Sequence, residues 1–263
     1  MNRLRVSIVY YLNSLPLAWG FVHGRQKGFF DLDFSSPSRC ADLLADGSVD
    51  IGLIPSIEYQ RIRGVKVIPG LSIASKRQVQ SVLLVSKVPA ERIQTLAIDN
   101  SSRTSIVLLR ILLKLKYQAV PTLRSCEPDL DAMLNHSDAA LIIGDTALRA
   151  VFDDRYCYDL AEEWRMLTGK PFVFAFWGVR VGVNLEDPSV FQQSFEYGET
   201  HLDEIVQQQS QALHLPDFRL HRYLTENINY TLDQENLEGL QLFYQLAADA
   251  LGEDTTRAVE FFR

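Results

Sequence analysis

The chain has 263 residues, 47% of them hydrophobic and 22% charged, with a formal net charge of −7. That length can bury a sizeable core, and the composition is that of an ordered globular protein. With no basic stripe to displace phosphate counterions, a nucleic-acid partner is excluded, and no apolar run approaches the ~20 residues of a membrane span.

Cys40, Cys126 and Cys157 are far apart and odd in number, with no C-x-x-C pair and no histidine at ligand spacing. They read as reduced thiols. Without a Gly-rich phosphate loop after a strand either, the expectation is no metal and no cofactor. The N-terminal residues lack the pattern of a signal peptide, which makes the cytoplasm the expected location. Oligomeric state is left open.

Residues 3–10 read as a short buried strand, and Pro16 suits the first turn of a helix running to about residue 23. Between them, in Tyr11-Leu-Asn-Ser-Leu-Pro-Leu17, Asn13 and Ser14 stand beside orphan backbone N–H groups at the positive end of a helix dipole. Such a place binds anions, and it is also where an ordinary N-cap sits. A strand at 32–35, a helix at 38–45 and a strand at 50–54 follow, with Pro55-Ser56 opening a helix to residue 63. Residues 65–74 and 79–86 are strand-like. Ser81 is polar within that second apolar run, and its hydroxyl needs a partner, either the local backbone or a ligand.

A second unit repeats the alternation: a strand at 96–99, a polar turn Ser101-Ser-Arg-Thr-Ser105 and an amphipathic helix at 106–116. A strand near 118–123, a helix near 129–134 and a strand at 139–143 come next, and Gly144-Asp145 opens a helix to about residue 152. Residues 43–56 and 133–145 share one plan: helix end, tight polar turn, Asp (50 or 138), buried strand, helix start. An α/β fold of two like lobes with a central ligand cleft is expected. The aromatic strand 172–181 is placed to return the chain to the first lobe, and from residue 187 the pattern is helical, over about 187–213, 216–226 and 233–251. The expected lobes are residues 1–88 plus 174–263, and residues 93–170, joined by two crossovers.

The motifs Tyr11–Leu17, Asp50-Ile-Gly-Leu-Ile-Pro-Ser56, Ser81-Val-Leu-Leu-Val-Ser86, Ser101–Ser105, Leu141-Ile-Ile-Gly-Asp-Thr-Ala-Leu148 and Trp164 with Thr168–Trp177 occur in order. Together they resemble the chorismate dehydratases of the futalosine route to menaquinone. The resemblance implies a fold like the type II periplasmic binding proteins, and a lyase that converts chorismate to 3-[(1-carboxyvinyl)oxy]benzoate by loss of water. Lys170, where an apolar residue is expected, is a departure that leaves the packing of its turn open. Rival readings are the 1,4-dihydroxy-6-naphthoate synthase of the same pathway, whose opening motif differs, and a solute-binding protein of the same fold, which would require export. A sensor domain of a regulator would need a helix-turn-helix, and none is visible.

A substrate with two carboxylates needs two anion-holding places. The candidates are Asn13 and Ser14 at the first helix, Ser56 at the third, and Ser102, Arg103, Thr104 and Ser105 at the second lobe's helix. Gly144 and Asp145 add a fourth junction, where the Asp could be a cap or a catalytic group. Asp99 carries the same ambiguity, and Arg103 could instead be a solvated surface residue. The five histidines lie outside the matched motifs. Lacking a protein base, the reading assigns proton removal to the substrate's own enolpyruvyl carboxylate, positioned by Asn13 and Ser81 as the catalytic residues.

Overall fold

The computed structural model describes residues 3–251 and 256–263. The first strand, β1 (Leu4–Val9), runs through a 3-10 turn (Leu12–Ser14) into α1 (Leu15–Val22), with Pro16 in the first turn where its missing N–H costs no hydrogen bond. Then follow β2 (Phe30–Ser35), α2 (Pro37–Ala45), β3 (Ile51–Pro55), a single turn α3 (Glu58–Arg61), β4 (Lys66–Val67) and β5 (Gly70–Ser75). The middle of the chain forms β6 (Val82–Ser86), β7 (Thr95–Ile98), α4 (Arg103–Leu115), β8 (Thr122–Ser125), α5 (Leu130–Asn135), β9 (Ala139–Ile143), α6 (Gly144–Arg149), β10 (Tyr156–Asp159) and α7 (Leu160–Thr168). The last third contains β11 (Phe172–Val179), α8 (Ser189–Thr200), α9 (Leu202–Leu213), α10 (Asp217–Arg222), a π turn (Tyr223–Asn227), β12 (Asn229–Leu232) and α11 (Gln234–Leu251).

The strands make two sheets, β2-β1-β3-β11-β5-β12 with β4 also on β11, and β8-β7-β9-β6-β10. Each is built around a βαβαβ unit whose parallel strands take the order second, first, third. In each, the third strand is flanked by an antiparallel strand from elsewhere in the chain, β11 beside β3 and β6 beside β9. The repeated Asp has the same task in both units. Asp50 Oδ2 accepts Arg5 N at 2.9 Å and Asp138 Oδ2 accepts Thr95 N at 2.9 Å, so each carboxylate secures the start of the neighbouring parallel strand.

Several boundaries differ from the sequence reading. The first lobe cannot extend to residue 88, because β6, buried along its whole length, hydrogen-bonds to β9 and β10 in the second sheet. The outward crossover therefore falls at residues 76–81 and the return at 169–171. Residues 103–105 are the first turn of α4 rather than a free loop, because Ser102 caps it by accepting Ser105 N. The long helix expected at 187–213 breaks at His201, and β10, α7 and β12 were not anticipated. Lys170 is half-exposed beside the left-handed Gly169 and pairs with Glu238 at 2.6 Å, so its charge disturbs no core.

The C-terminal helices hold the first one in place. A Cβ at Gly198 would lie 2.1 Å from Pro16 O, and one at Gly20 would lie 2.5 Å from Ser194 Cα, so α1 and α8 meet backbone to backbone. Ser194 Oγ donates to Leu17 O at 2.9 Å and accepts Phe21 N at 3.2 Å. This contact fixes α1 and, with it, the turn that carries Asn13.

The Asp50 carboxylate, held by the Arg5 side chain first and by Arg5 N and Arg180 besides, titrates at about 2, below its ordinary value. A depressed carboxyl contributes stability above its unfolded pKa of ~3.9, and the contribution is lost as pH falls toward the folded value. Urea unfolding of Asp50→Asn should therefore show a stability deficit near neutral pH that shrinks between pH ~4 and ~2. A deficit independent of pH across that window would contradict the ion-pair account.

Candidate active site

Between the two sheets lies a small cavity of ≈ 50 Å³. Small-molecule pockets typically measure ~300–1,000 Å³, so the lobes must part to admit a ring-sized ligand. Its walls are mostly apolar: Val9, Pro37, Pro55, Ile73, Val79, Val82, Ile143, Phe174 and Ala175. The polar groups reaching it belong to Tyr11, Asn13, Ser81, Ser102, Ser105 and the Gly144 backbone, and among the described residues no charged side chain lines it.

Each of these is delivered by a strand-to-helix junction or a crossover. Asn13 sits in the 3-10 turn between β1 and α1, half-buried. Ser14 is fully buried, makes no cap bond, and donates to Asn13 Oδ1 at 3.3 Å. It therefore orients the amide rather than facing the cavity. Ser81 ends the outward crossover directly after Gln80, whose backbone is left-handed at φ 60°. The Ser81 hydroxyl accepts a hydrogen bond from the Tyr223 hydroxyl at 2.8 Å. The expectation that only backbone or ligand would satisfy Ser81 thus missed a third partner. Ser102 Oγ donates to Ser105 Oγ at 2.7 Å, at the N-terminus of the 13-residue α4, whose first N–H groups have no partner within the helix. Gly144, at φ 60°, lies under the Tyr11 ring, where a Cβ would come within 2.8 Å of Cε1.

The remaining candidates lie outside the cavity. Arg103 pairs with Asp42 at 2.8 Å and with the buried Glu58 at 3.1 Å, so its guanidinium is occupied by carboxylates of the first lobe. Ser56 Oγ donates to Val173 O at 2.8 Å, and Thr104 Oγ1 accepts Ile57 N at 3.1 Å. Asp145 Oδ1 accepts Leu12 N at 3.1 Å, and the residue borders a separate pocket beside Tyr10, Asp99 and Arg149. Burial holds its carboxyl above the ordinary value, opposed by the Leu12 N–H and Arg149. Asp99 accepts Ser101 N at 2.8 Å and Ser101 Oγ at 2.5 Å, which makes it a turn residue. Arg103, Thr104 and Asp145 are better described as fasteners that hold the lobes together, and Ser56 as a tie within the first lobe. No histidine reaches the cavity. Among the described residues no group of three His, Cys, Asp or Glu could hold a metal ion, and no helix is long and apolar enough to cross a membrane.

The family model for menaquinone biosynthesis matches residues 4–249. The chain belongs to that family. It is 29% identical to the chorismate dehydratase of Thermus thermophilus, over 92% of this chain and 93% of the relative. Among solved structures it resembles protein AF1704 of Archaeoglobus fulgidus, with a TM-score of 0.77 at 16% identity over 95% and 98% of the two chains. The periplasmic aliphatic sulphonate binding protein SsuA of Escherichia coli matches at a TM-score of 0.68 and 14% identity, over 100% and 92%. At such identities these two speak to the fold, which is the two-lobed periplasmic-binding-protein type expected from the sequence.

If Arg103 fastens the lobes, Arg103→Gln strips a charge partner from buried Glu58 and should destabilise the protein by ~1–3 kcal/mol in urea unfolding. Adding Glu58→Gln should restore part of that loss. Unchanged stability in Arg103→Gln would return the guanidinium to the list of ligand-binding groups.

Proposed function

We propose that this chain is a chorismate dehydratase, a carbon–oxygen lyase that removes water from chorismate to give 3-[(1-carboxyvinyl)oxy]benzoate in menaquinone biosynthesis. The observation that carries the reading is the end-to-end match to the menaquinone biosynthesis family and to the Thermus thermophilus relative, on a chain whose cleft presents Asn13 and Ser81 together.

The reaction breaks the C–H bond beside the enolpyruvyl ether and the C–O bond of the neighbouring ring hydroxyl. The C–H electron pair becomes the last double bond of an aromatic ring, and the proton and hydroxide leave as water. Nothing is oxidised or reduced, so the step calls for no electron acceptor. Aromatisation supplies the driving force, and the protein has mainly to hold the ring and its acceptor in line.

In this reading the substrate's enolpyruvyl carboxylate takes the proton, held by the Asn13 amide and the Ser81 hydroxyl. The ring carboxylate faces Ser102 and Ser105 at the N-terminus of α4, where hydroxyl and N–H donors meet the positive end of the helix dipole. The apolar walls keep water from competing for both carboxylates. A cytoplasmic site of action fits a soluble substrate handled without membrane contact.

Purified protein incubated with chorismate should yield an aromatic product lighter by one water, read by mass and ultraviolet absorbance. Asn13→Ala and Ser81→Ala should each lower kcat by about tenfold or more while costing the fold only ~0.5–2 kcal/mol. Asp145→Asn keeps an oxygen to accept Leu12 N and should stay close to wild type. Near-normal kcat in both alanine variants beside an inactive Asp145→Asn would instead make Asp145 the base. Chorismate left unchanged by the wild-type protein would remove the assignment altogether.

A further inference from the structure

One buried phenol from the C-terminal third, far in sequence from any motif, reaches a side chain that lines the cleft. Tyr223 opens the π turn, and its carbonyl accepts Ile228 N at 3.1 Å across the five-residue spacing of a widened helix. Such turns recur at functional sites. The side chain is 1% exposed and its hydroxyl donates to Ser81 Oγ at 2.8 Å. At the other end of the turn, Asn227 Nδ2 donates to Gln78 O at 3.0 Å. The π turn therefore grips the outward crossover at two points, one of them the proposed catalytic serine.

The direction of the hydrogen bond matters chemically. A hydroxyl carries one proton and two lone pairs. Once Ser81 Oγ accepts from Tyr223, one lone pair is committed and the serine proton must point away from the phenol. Burial pushes the Tyr223 phenol far above its ordinary value; the Ser81 hydrogen bond pulls back, the Asp145 charge adds to the rise, and Asn13 also pulls back. The phenol therefore keeps its proton, the one it donates to Ser81 Oγ.

We propose that Tyr223 is a positioning residue: by donating to Ser81 Oγ it turns the Ser81 O–H into the cavity, where it meets the carboxylate that removes the proton. The inference rests on chorismate dehydration as the reaction. Phenylalanine at this position keeps the ring and its packing and frees only the serine proton to rotate.

The test compares Tyr223→Phe with wild type for kcat and KM on chorismate and for thermal unfolding. The expected result is a fall in kcat of about tenfold or more, with KM and melting temperature little changed, because the lost hydrogen bond acts in the transition state. On a Ser81→Ala background the same change should cost nothing further, since the group it orients is gone. A smaller fall in kcat, a loss that appears in KM or in melting temperature instead, or equal losses with and without Ser81 would each overturn the proposal. Wild-type protein inactive on chorismate would take down the reaction itself, whereas active wild type with an unimpaired Tyr223→Phe defeats only the role of Tyr223.

Discussion

The site depends first on one buried carboxylate. Asp159 Oδ1 accepts Val79 N at 3.1 Å, Ala161 N at 3.0 Å and Glu162 N at 3.2 Å, while Oδ2 accepts Gln80 N at 2.6 Å. Two of these donors belong to the outward crossover and two to the first turn of α7. One side chain thus caps a helix of the second lobe and pins the segment that joins the lobes. Burial still holds the carboxyl above its ordinary value, opposed by the four N–H groups, so desolvation is the larger effect here. The clamp holds Gln80 in its left-handed conformation, and that reversal aims the next residue, Ser81, into the cleft. A non-glycine residue at positive φ costs on the order of 1–3 kcal/mol and persists only where its surroundings fix it. Here Asp159 on one side and the π turn on the other fix it.

The second constraint is electrostatic. A chain of net charge −7 repels a dianion at long range, and among the described residues the cleft lining holds no cation to compensate. In the proposed reading, recognition rests on short-range neutral donors between apolar walls, where each hydrogen bond is stronger than in water. A lysine or arginine would hold a carboxylate more tightly, yet it would hold it as a charge partner and lower its basicity. A carboxylate that must accept a proton is better served by an amide and a hydroxyl.

Much of this was legible in the sequence because local rules decided it. The Asp50 and Asp138 repeats exposed two units of one plan, and each proved to carry the same carboxylate-to-strand hydrogen bond. Asn13 and Ser81 could be singled out because one falls at a strand-to-helix junction and the other interrupts an apolar run. Direction was not legible. Within Ser102–Ser105 every residue shares the junction, but successive side chains of a helix diverge by ~100°, so only Ser102 and Ser105 face the cavity. Partners distant along the chain were also invisible. Tyr223 lies 142 residues from Ser81 and carries no motif, and Asp159 belongs to a short edge strand whose four residues give too little alternation to read.

The same helix start explains why closure and binding go together. Ser102 and Ser105, three apart, line the cavity, while Arg103 and Thr104 between them reach across to Asp42, Glu58 and Ile57 of the first lobe. Parting of the lobes would cost Arg103 its partners and leave Glu58 with Arg61, at 3.0 Å. When they close, the turn that fastens the lobes also brings its N–H groups and hydroxyls against whatever occupies the cavity. An anion seated there favours the closed form through contacts it makes only in that form, which is the condition for a ligand to shift a conformational equilibrium. Water is excluded by the same movement that aligns the donors. In the proposed reading the substrate completes the site, on elements whose positions are already set by the carboxylates of Asp50, Asp138 and Asp159.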